Sequence, residues 1–227
     1  MHIKEKHLQL LPTLQNALLA VAVFCYWMWI APHLLFFRES MQLFLWTEDY
    51  LSERIAVPGG FAQYLGECIV QLFLNPAIGA GCYALMAVMT KIISARLLSS
   101  VITDKVRWSW LTLLPPLVLW YITTVPTIPM TVPVALLLTI TLMAILPDNP
   151  RSSMWLTIVL VPTVYWLLGP AIVLLPLYHL RFLHRAQRFH IVTVVLGTLL
   201  LLAGSVVASS RVVAYPLRML VQGIDYH

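Results

Sequence analysis

Apolar residues run along this chain in long blocks, not at the roughly three-to-four-residue intervals of a helix with one face in water. A helix that crosses a bilayer needs about 20 mostly apolar residues, because a rise of about 1.5 Å per residue must cover about 30 Å of hydrocarbon. Blocks of this kind occupy residues 17–37, 76–98, 108–125, 130–146 and 191–208. Two shorter blocks, 154–168 and 171–183, flank the dipeptide Gly169-Pro170. Read separately, they bring the number of spans to seven; read as one kinked helix, they bring it to six. The expected fold is all-α: a polytopic bundle of about seven spans forming a single transmembrane domain over residues 1–227.

Prolines punctuate the blocks. "VPTIPMTVP" at 125–133 and "PDNPRSS" at 147–153 read as turns. Pro115, Pro116, Pro162 and Pro176 fall inside apolar blocks, where neighbouring helices or water must satisfy the freed carbonyls. The pairs Ala77/Gly81 and Gly204/Ala208 read as close helix packing through small residues at four-residue spacing.

The stretch 38–75 breaks the pattern. In "RESMQLFLWTEDYLSERIAVPGG", Phe44, Leu51 and Ile55 fall on one side of a helix, and Glu48, Asp49, Ser52 and Glu53 on the other. That predicts an amphipathic helix at a membrane surface, with Trp46 and Tyr50 suited to the headgroup layer. "PGG" at 58–60 ends it, and a second helix begins near Phe61. In that second helix Gln63, Glu67, Gln71 and Asn75 recur every fourth residue through an otherwise apolar run. Each step of four advances about 40° around a helix, so the polar stripe spirals slowly and is expected to face protein or water. Pro76 disfavours helix at Asn75, which separates this helix from the next span.

Composition sharpens the class. Hydrophobic residues make up 60% of the chain and charged ones 10%, against about 25% charged in a soluble domain. The mean hydropathy is +0.86. The net charge of +5 follows membrane topology rather than nucleic acid. With the N-terminus inside and seven spans, ten Lys and Arg residues fall inside (Lys4, Lys6, Lys91, Arg96, Lys105, Arg107, Arg151, Arg181, Arg185, Arg188) and four outside (Arg38, Arg54, Arg211, Arg218). The positive-inside rule prefers this count over six spans. The expected location is the inner membrane, with the N-terminus cytoplasmic and the C-terminus periplasmic. The basic N-terminus followed by an apolar run lacks a small-residue cleavage site and reads as an uncleaved first span.

Candidate chemistry concentrates in the first external loop. Five of the nine acids lie there: Glu39, Glu48, Asp49, Glu53 and Glu67. Glu67 is an ionisable group within an apolar helix, which marks a functional candidate; its plainer reading is a polar network or a reach to the headgroups. Glu39 follows the first span directly, and its plainer reading is an ion pair with Arg38. Glu48, Asp49 and Glu53 read as a solvated face. Arg211 and Arg218 follow the last span seven residues apart and share one helix face. Their guanidinium forks suit phosphate, and snorkelling to headgroups is the plainer reading. His179, His184 and His190 do not stack on one helix face, so they read as part of an internal basic loop and not as a metal site. Cys25, Cys68 and Cys82 lie in apolar runs without a CxxC pair and read as packing residues. No HExxH, P-loop, GxSxG or GxGxxG motif occurs, and no cofactor is indicated.

The run Phe37 to Phe73, with "MQLFL", "PGG" and "YLGE", resembles a family of multi-pass membrane proteins of Gram-negative bacteria that carries a domain of unknown function. Members tend to continue past the last span, whereas this chain stops at "YPLRMLVQGIDYH"; a shortened member or a fragment is the expectation, with 209–227 as an external tail. The layout is also similar to the membrane core of GT-C glycosyltransferases. That resemblance implies a polyprenyl-phosphate-linked donor at the outer face, Glu39 as the acid after the first span, and Arg211 or Arg218 on the lipid phosphate. Those enzymes usually carry aspartate there, often beside another acid, while Glu39 stands between Arg38 and Ser40. A transferase of this kind, with Glu39 or Glu67 as general base, is the first expectation. A non-catalytic membrane subunit or anchor of a larger envelope complex, packing its polar stripe against another chain, is the second. A transporter is the third, and no internal repeat supports it.

Overall fold

The computed structural model describes residues 2–99, 109–179 and 188–212, and among these the secondary structure is helical throughout, without a strand. Helix α1 (His2–Cys25) continues as a π-helical turn, Tyr26–Ile30. The Ala31 N–H reaches back to the Tyr26 carbonyl at 2.9 Å, and the chain restarts at Pro32 as α2 (Pro32–Ser40). Proline has no N–H and its ring crowds the preceding turn, so the block expected as one span, 17–37, is two helices joined at Ala31.

The first loop folds as two helices, α3 (Glu48–Ile55) and α4 (Gly60–Gln71). Thr47 caps α3, its hydroxyl accepting the Tyr50 N–H at 3.3 Å, and Glu48 and Asp49 sit in the first turn, where the helix dipole favours anions. Phe44 precedes the helix, in a stretch (42–46) outside regular structure, so it is not part of the amphipathic face assigned to it. A 3₁₀ turn, Leu72–Leu74, ends α4. Asn75 then caps α5 (Pro76–Ser99), its amide oxygen accepting the Ala77 N–H at 3.0 Å. Next come a 3₁₀ turn (Ser109–Leu113) and α6 (Leu114–Thr124). Pro115 and Pro116 occupy the first turn of α6, where a missing N–H costs nothing, so they start a helix and do not break one. Helices α7 (Thr131–Ile145), α8 (Pro150–Leu168), α9 (Leu174–Tyr178) and α10 (Arg188–Val212) follow.

Among the described residues, three segments are long and apolar enough to cross a membrane: Pro12–Ile30, Pro76–Ser99 and Ser152–Pro176; α7 and Val195–Ser209 are apolar but shorter. The third does not run straight. The Thr157 hydroxyl and His179 Nε2 share a hydrogen bond of 2.7 Å, yet they lie on opposite sides of Gly169. At about 1.5 Å per α residue and about 2.0 Å per 3₁₀ residue, each arm from the turn reaches about 17 Å. The chain therefore doubles back at Gly169, whose φ of 70° closes α8, as glycine commonly does at helix ends. The sequence left open whether 154–168 and 171–183 are two spans or one kinked helix; α8 ends at Leu168 and the described chain turns back there. His179, expected in a basic loop, is fully buried in this hairpin.

The helices divide between two compact units, Met1–Phe44 with Glu67–Pro133 and Leu45–Gly66 with Val134–His227. In the first, α1 and α5 run antiparallel: Asn16 meets Lys91, Trp27 meets Tyr83, and Leu35 meets Gly79. Helix α6 packs along α5, with Trp120 edge-on against Tyr26 of the π-helical turn. Trp27 is fully buried and stacks on Tyr83 at 4.2 Å; Phe73 packs on the same tyrosine at 5.1 Å. Close approach occurs at Gly79, where a Cβ would stand 3.0 Å from Phe73 and 3.3 Å from Leu35. It does not occur at Gly81 or Gly204, which face open space within 4 Å, so the small-residue pairs expected to pack are not the ones that do.

In the second unit, the Trp166 indole donates to the Ile55 carbonyl and the Gly59 N–H donates to the Trp166 carbonyl, both at 2.8 Å. These bonds hold the α3–α4 turn against the Gly169 bend. Gly59 has a φ of 84°, and a Cβ on Gly169 would lie 3.3 Å from its Cα. At Gly60 a Cβ would fall 1.6 Å from the Arg54 carbonyl oxygen. Gly60→Ala is expected to cost about 3 kcal/mol, within the upper range for single substitutions. Gly81→Ala should stabilise α5 by up to about 1 kcal/mol. Thermal unfolding of the two variants in detergent reads the opposite signs.

Candidate functional site

Arg38, in the last turn of α2, was expected as an exposed loop cation paired with Glu39. It is instead buried, at 6% exposure. Its guanidinium donates to the carbonyls of Ile128 at 2.7 Å, Val125 at 2.8 Å and Thr123 at 3.1 Å. The cause is readable in the acceptor segment. The last carbonyls of α6 have no intrahelical partner and form the negative end of the helix dipole. Pro126 and Pro129 remove two donors from the turn that follows. A planar fork with five N–H groups fits such a cluster of oxygens.

This use of Arg38 changes the reading of Glu39. The Glu39 side chain is half-buried, and its carboxylate takes no hydrogen bond or ion pair from any described residue. Helix α2 packs on α5 and on the 3₁₀ turn that ends α4.

The polar stripe is graded, not uniform. Gln63 and Glu67 are buried, at 7% and 5% exposure. Gln71 is half-buried and Asn75 exposed, where it serves as the α5 cap. Three steps of about 40° account for the change of environment. Glu48, Asp49 and Glu53 are exposed along α3. Arg54 donates to the Tyr50 hydroxyl at 3.0 Å and lies 4.8 Å from the centre of that ring. Arg211 falls in the last turn of α10; its side chain, together with Arg218 and His184, lies outside the described residues. Cys25, Cys68 and Cys82 are free thiols.

Lys91 is the residue that loop counting misplaced. It sits within α5, at 3% exposure. Its ammonium donates to the Asn16 amide oxygen at 2.6 Å and to the Pro12 carbonyl at 3.2 Å. It lines a cavity of about 360 Å³ at the end of the unit opposite Arg38. The signal was present in the sequence, as a lysine inside an apolar block.

The class defined so far is a chain that is all-helical among its described residues, with three helices there long and apolar enough to cross a membrane. Within that class, the chain belongs to DUF6057, a family of unknown function whose pattern matches residues 6–227. No curated protein and no solved structure matches it.

Removing the Arg38 fork takes a donor from three carbonyls, of which that of Val125 keeps the Ile128 N–H. Arg38→Leu is expected to lower stability by about 2–4 kcal/mol, the scale of losing hydrogen bonds to a charged group. Arg38→Lys should recover less than half, because one ammonium lacks the planar fork. Unfolding followed by tryptophan fluorescence checks both.

Proposed function

We propose that the chain is a multi-pass protein of the bacterial inner membrane with about seven spans, acting as a GT-C-like transferase module on a polyprenyl-phosphate-linked donor at the outer face. The observation that carries the reading is the state of Glu39. A general base must reach the acceptor hydroxyl directly or through one water, and a carboxylate committed to a neighbouring arginine is poorly placed for this. Arg38 turns its two terminal nitrogens to three backbone carbonyls and not to Glu39, which leaves Glu39 available at the end of α2. Glu67 is a second, buried carboxylate on the same loop and is assigned a supporting role in the polar stripe. The loop's fold into α3 and α4 fits the surface helices of that layout. The hairpin at Gly169 supports two crossings where one kinked helix was the alternative. On this reading the N-terminus is cytoplasmic, and Arg211 and Arg218 are periplasmic and would hold the lipid phosphate.

The test is transfer of labelled sugar from a polyprenyl-phosphate-linked donor in membranes that overproduce the chain. Glu39→Gln should reduce the rate by about 10²-fold or more, the usual contribution of a general base. Glu67→Gln should reduce it less. Full activity in both variants would sink the reading.

The second reading, a non-catalytic subunit of an envelope complex, draws on a different surface. Gln71 is half-buried between the exposed side chains of Leu72, Leu74 and Asn75, a mixed patch that another chain would cover. On that reading Gln71→Leu abolishes co-purification of membrane partners while leaving the fold intact, as measured by pull-down and unfolding temperature together.

A further inference from the structure

We infer that the cavity around Lys91 is an anion site that takes the phosphate of an amphiphile. The inference rests on the membrane reading but not on the transferase reading, because its residues lie at the far end of α5 from Glu39. The cavity forms where three elements end together: the start of the apolar part of α1 at Pro12, the last turns of α5 from Lys91 to Ser99, and the 3₁₀ turn that leads into α6. Its volume of about 360 Å³ lies within the range of small-ligand pockets, about 300–1,000 Å³.

Charge argues for the occupant. A lysine ammonium has three N–H donors. Two go to neutral oxygens on α1, and the third finds no acceptor among the described residues. A buried charge ordinarily finds a counter-charge, and none of the described residues lining this cavity is acidic. The remaining lining is divided by chemistry. Gln15, Asn16, Ser109 and Thr112 supply polar groups to the lining, and Ile92 and Leu98 an apolar wall. A phosphate at Lys91 with its ester chain along that wall satisfies both. In the topology proposed above, this end of α5 meets the cytoplasmic headgroup layer, where anionic lipids and soluble phosphates are both at hand.

The experiment uses the full chain in a neutral maltoside detergent. Unfolding temperature is followed while a short-chain phosphatidylglycerol, a phosphatidylcholine of the same chain length, or inorganic phosphate is added. The expected result is a saturable rise with phosphatidylglycerol, absent with phosphatidylcholine. Lys91→Met should weaken that response by roughly thirtyfold or more, as loss of one buried charge partner does. Should Lys91→Met fold poorly, Ala95→Phe serves in its place: Ala95 lines the cavity and is exposed, so the larger side chain fills the site while leaving Lys91 intact, and the response should again be lost. If phosphatidylglycerol acts and inorganic phosphate does not compete, the source is a lipid headgroup. If inorganic phosphate alone raises the wild-type temperature and Ala95→Phe abolishes the rise, the source is a free anion. No response to either probe, or equal responses in wild type and Ala95→Phe, overturns the inference. Transferase activity is not read in any arm, so failure here leaves the Glu39 assignment standing, and failure of that assignment leaves this one.

Discussion

One guanidinium group organises the end of the α1–α5–α6 unit. Helix α6 terminates in a turn with two prolines, Pro126 and Pro129, and so presents carbonyls with few backbone donors, although the Val125 oxygen also accepts the Ile128 N–H at 3.2 Å. Arg38 meets three of them from α2. The arrangement requires α2 to leave the axis of α1, and the break at Ala31-Pro32 provides that change of direction. A cation buried without a carboxylate is normally expensive. Here the oxygens at the negative end of a helix dipole take the place of the counter-charge. The neighbouring carboxylate, Glu39, is then not needed to neutralise Arg38.

The opposite end of the same unit solves the same problem incompletely. Lys91 is as deeply buried as Arg38 but meets two neutral oxygens where Arg38 meets three. The difference follows from geometry. A planar fork reaches several acceptors at once, while an ammonium needs them arranged around a point. Between the two cations lies the aromatic stack of Trp27, Tyr83 and Phe73, which fixes the separation of α1 and α5. The unit thus holds a buried cation at each end, joined by an aromatic middle.

In the other unit, hydrogen bonds from a single tryptophan and two left-handed glycines do the work that long helices do elsewhere. A Cβ on Gly169 would stand 3.3 Å from the Gly59 Cα, and both glycines hold positive φ angles that L side chains rarely adopt. The bonds of Trp166 with Ile55 and Gly59 fasten the α3–α4 turn at the point where α8 reverses. The short helix α3 buries none of its side chains and keeps its acids exposed, consistent with a solvated face.

Much of this was legible in the order of residues. Block length and composition determined an all-helical, strongly apolar chain, because a run of about 20 apolar residues has few other outcomes. Gly169-Pro170 marked a break, Asn75-Pro76 marked a helix start, and the spacing from Gln63 to Asn75 marked a slowly turning stripe. Other features depended on partners distant in sequence. Whether a proline breaks a helix or begins one, as at Pro115 and Pro116, depends on where the preceding turn ends. Whether Gly79 or Gly81 packs tightly depends on what the neighbouring helix presents. Whether Arg38 pairs with Glu39 beside it or with carbonyls about ninety positions away depends on the tertiary fold, as does the burial of Lys91 against Asn16. The sequence by itself determined the helices, since helix formation and apolar burial are written in local pattern. Only the tertiary structure decided which charges are satisfied, since that is settled by acceptors the folded chain brings to them.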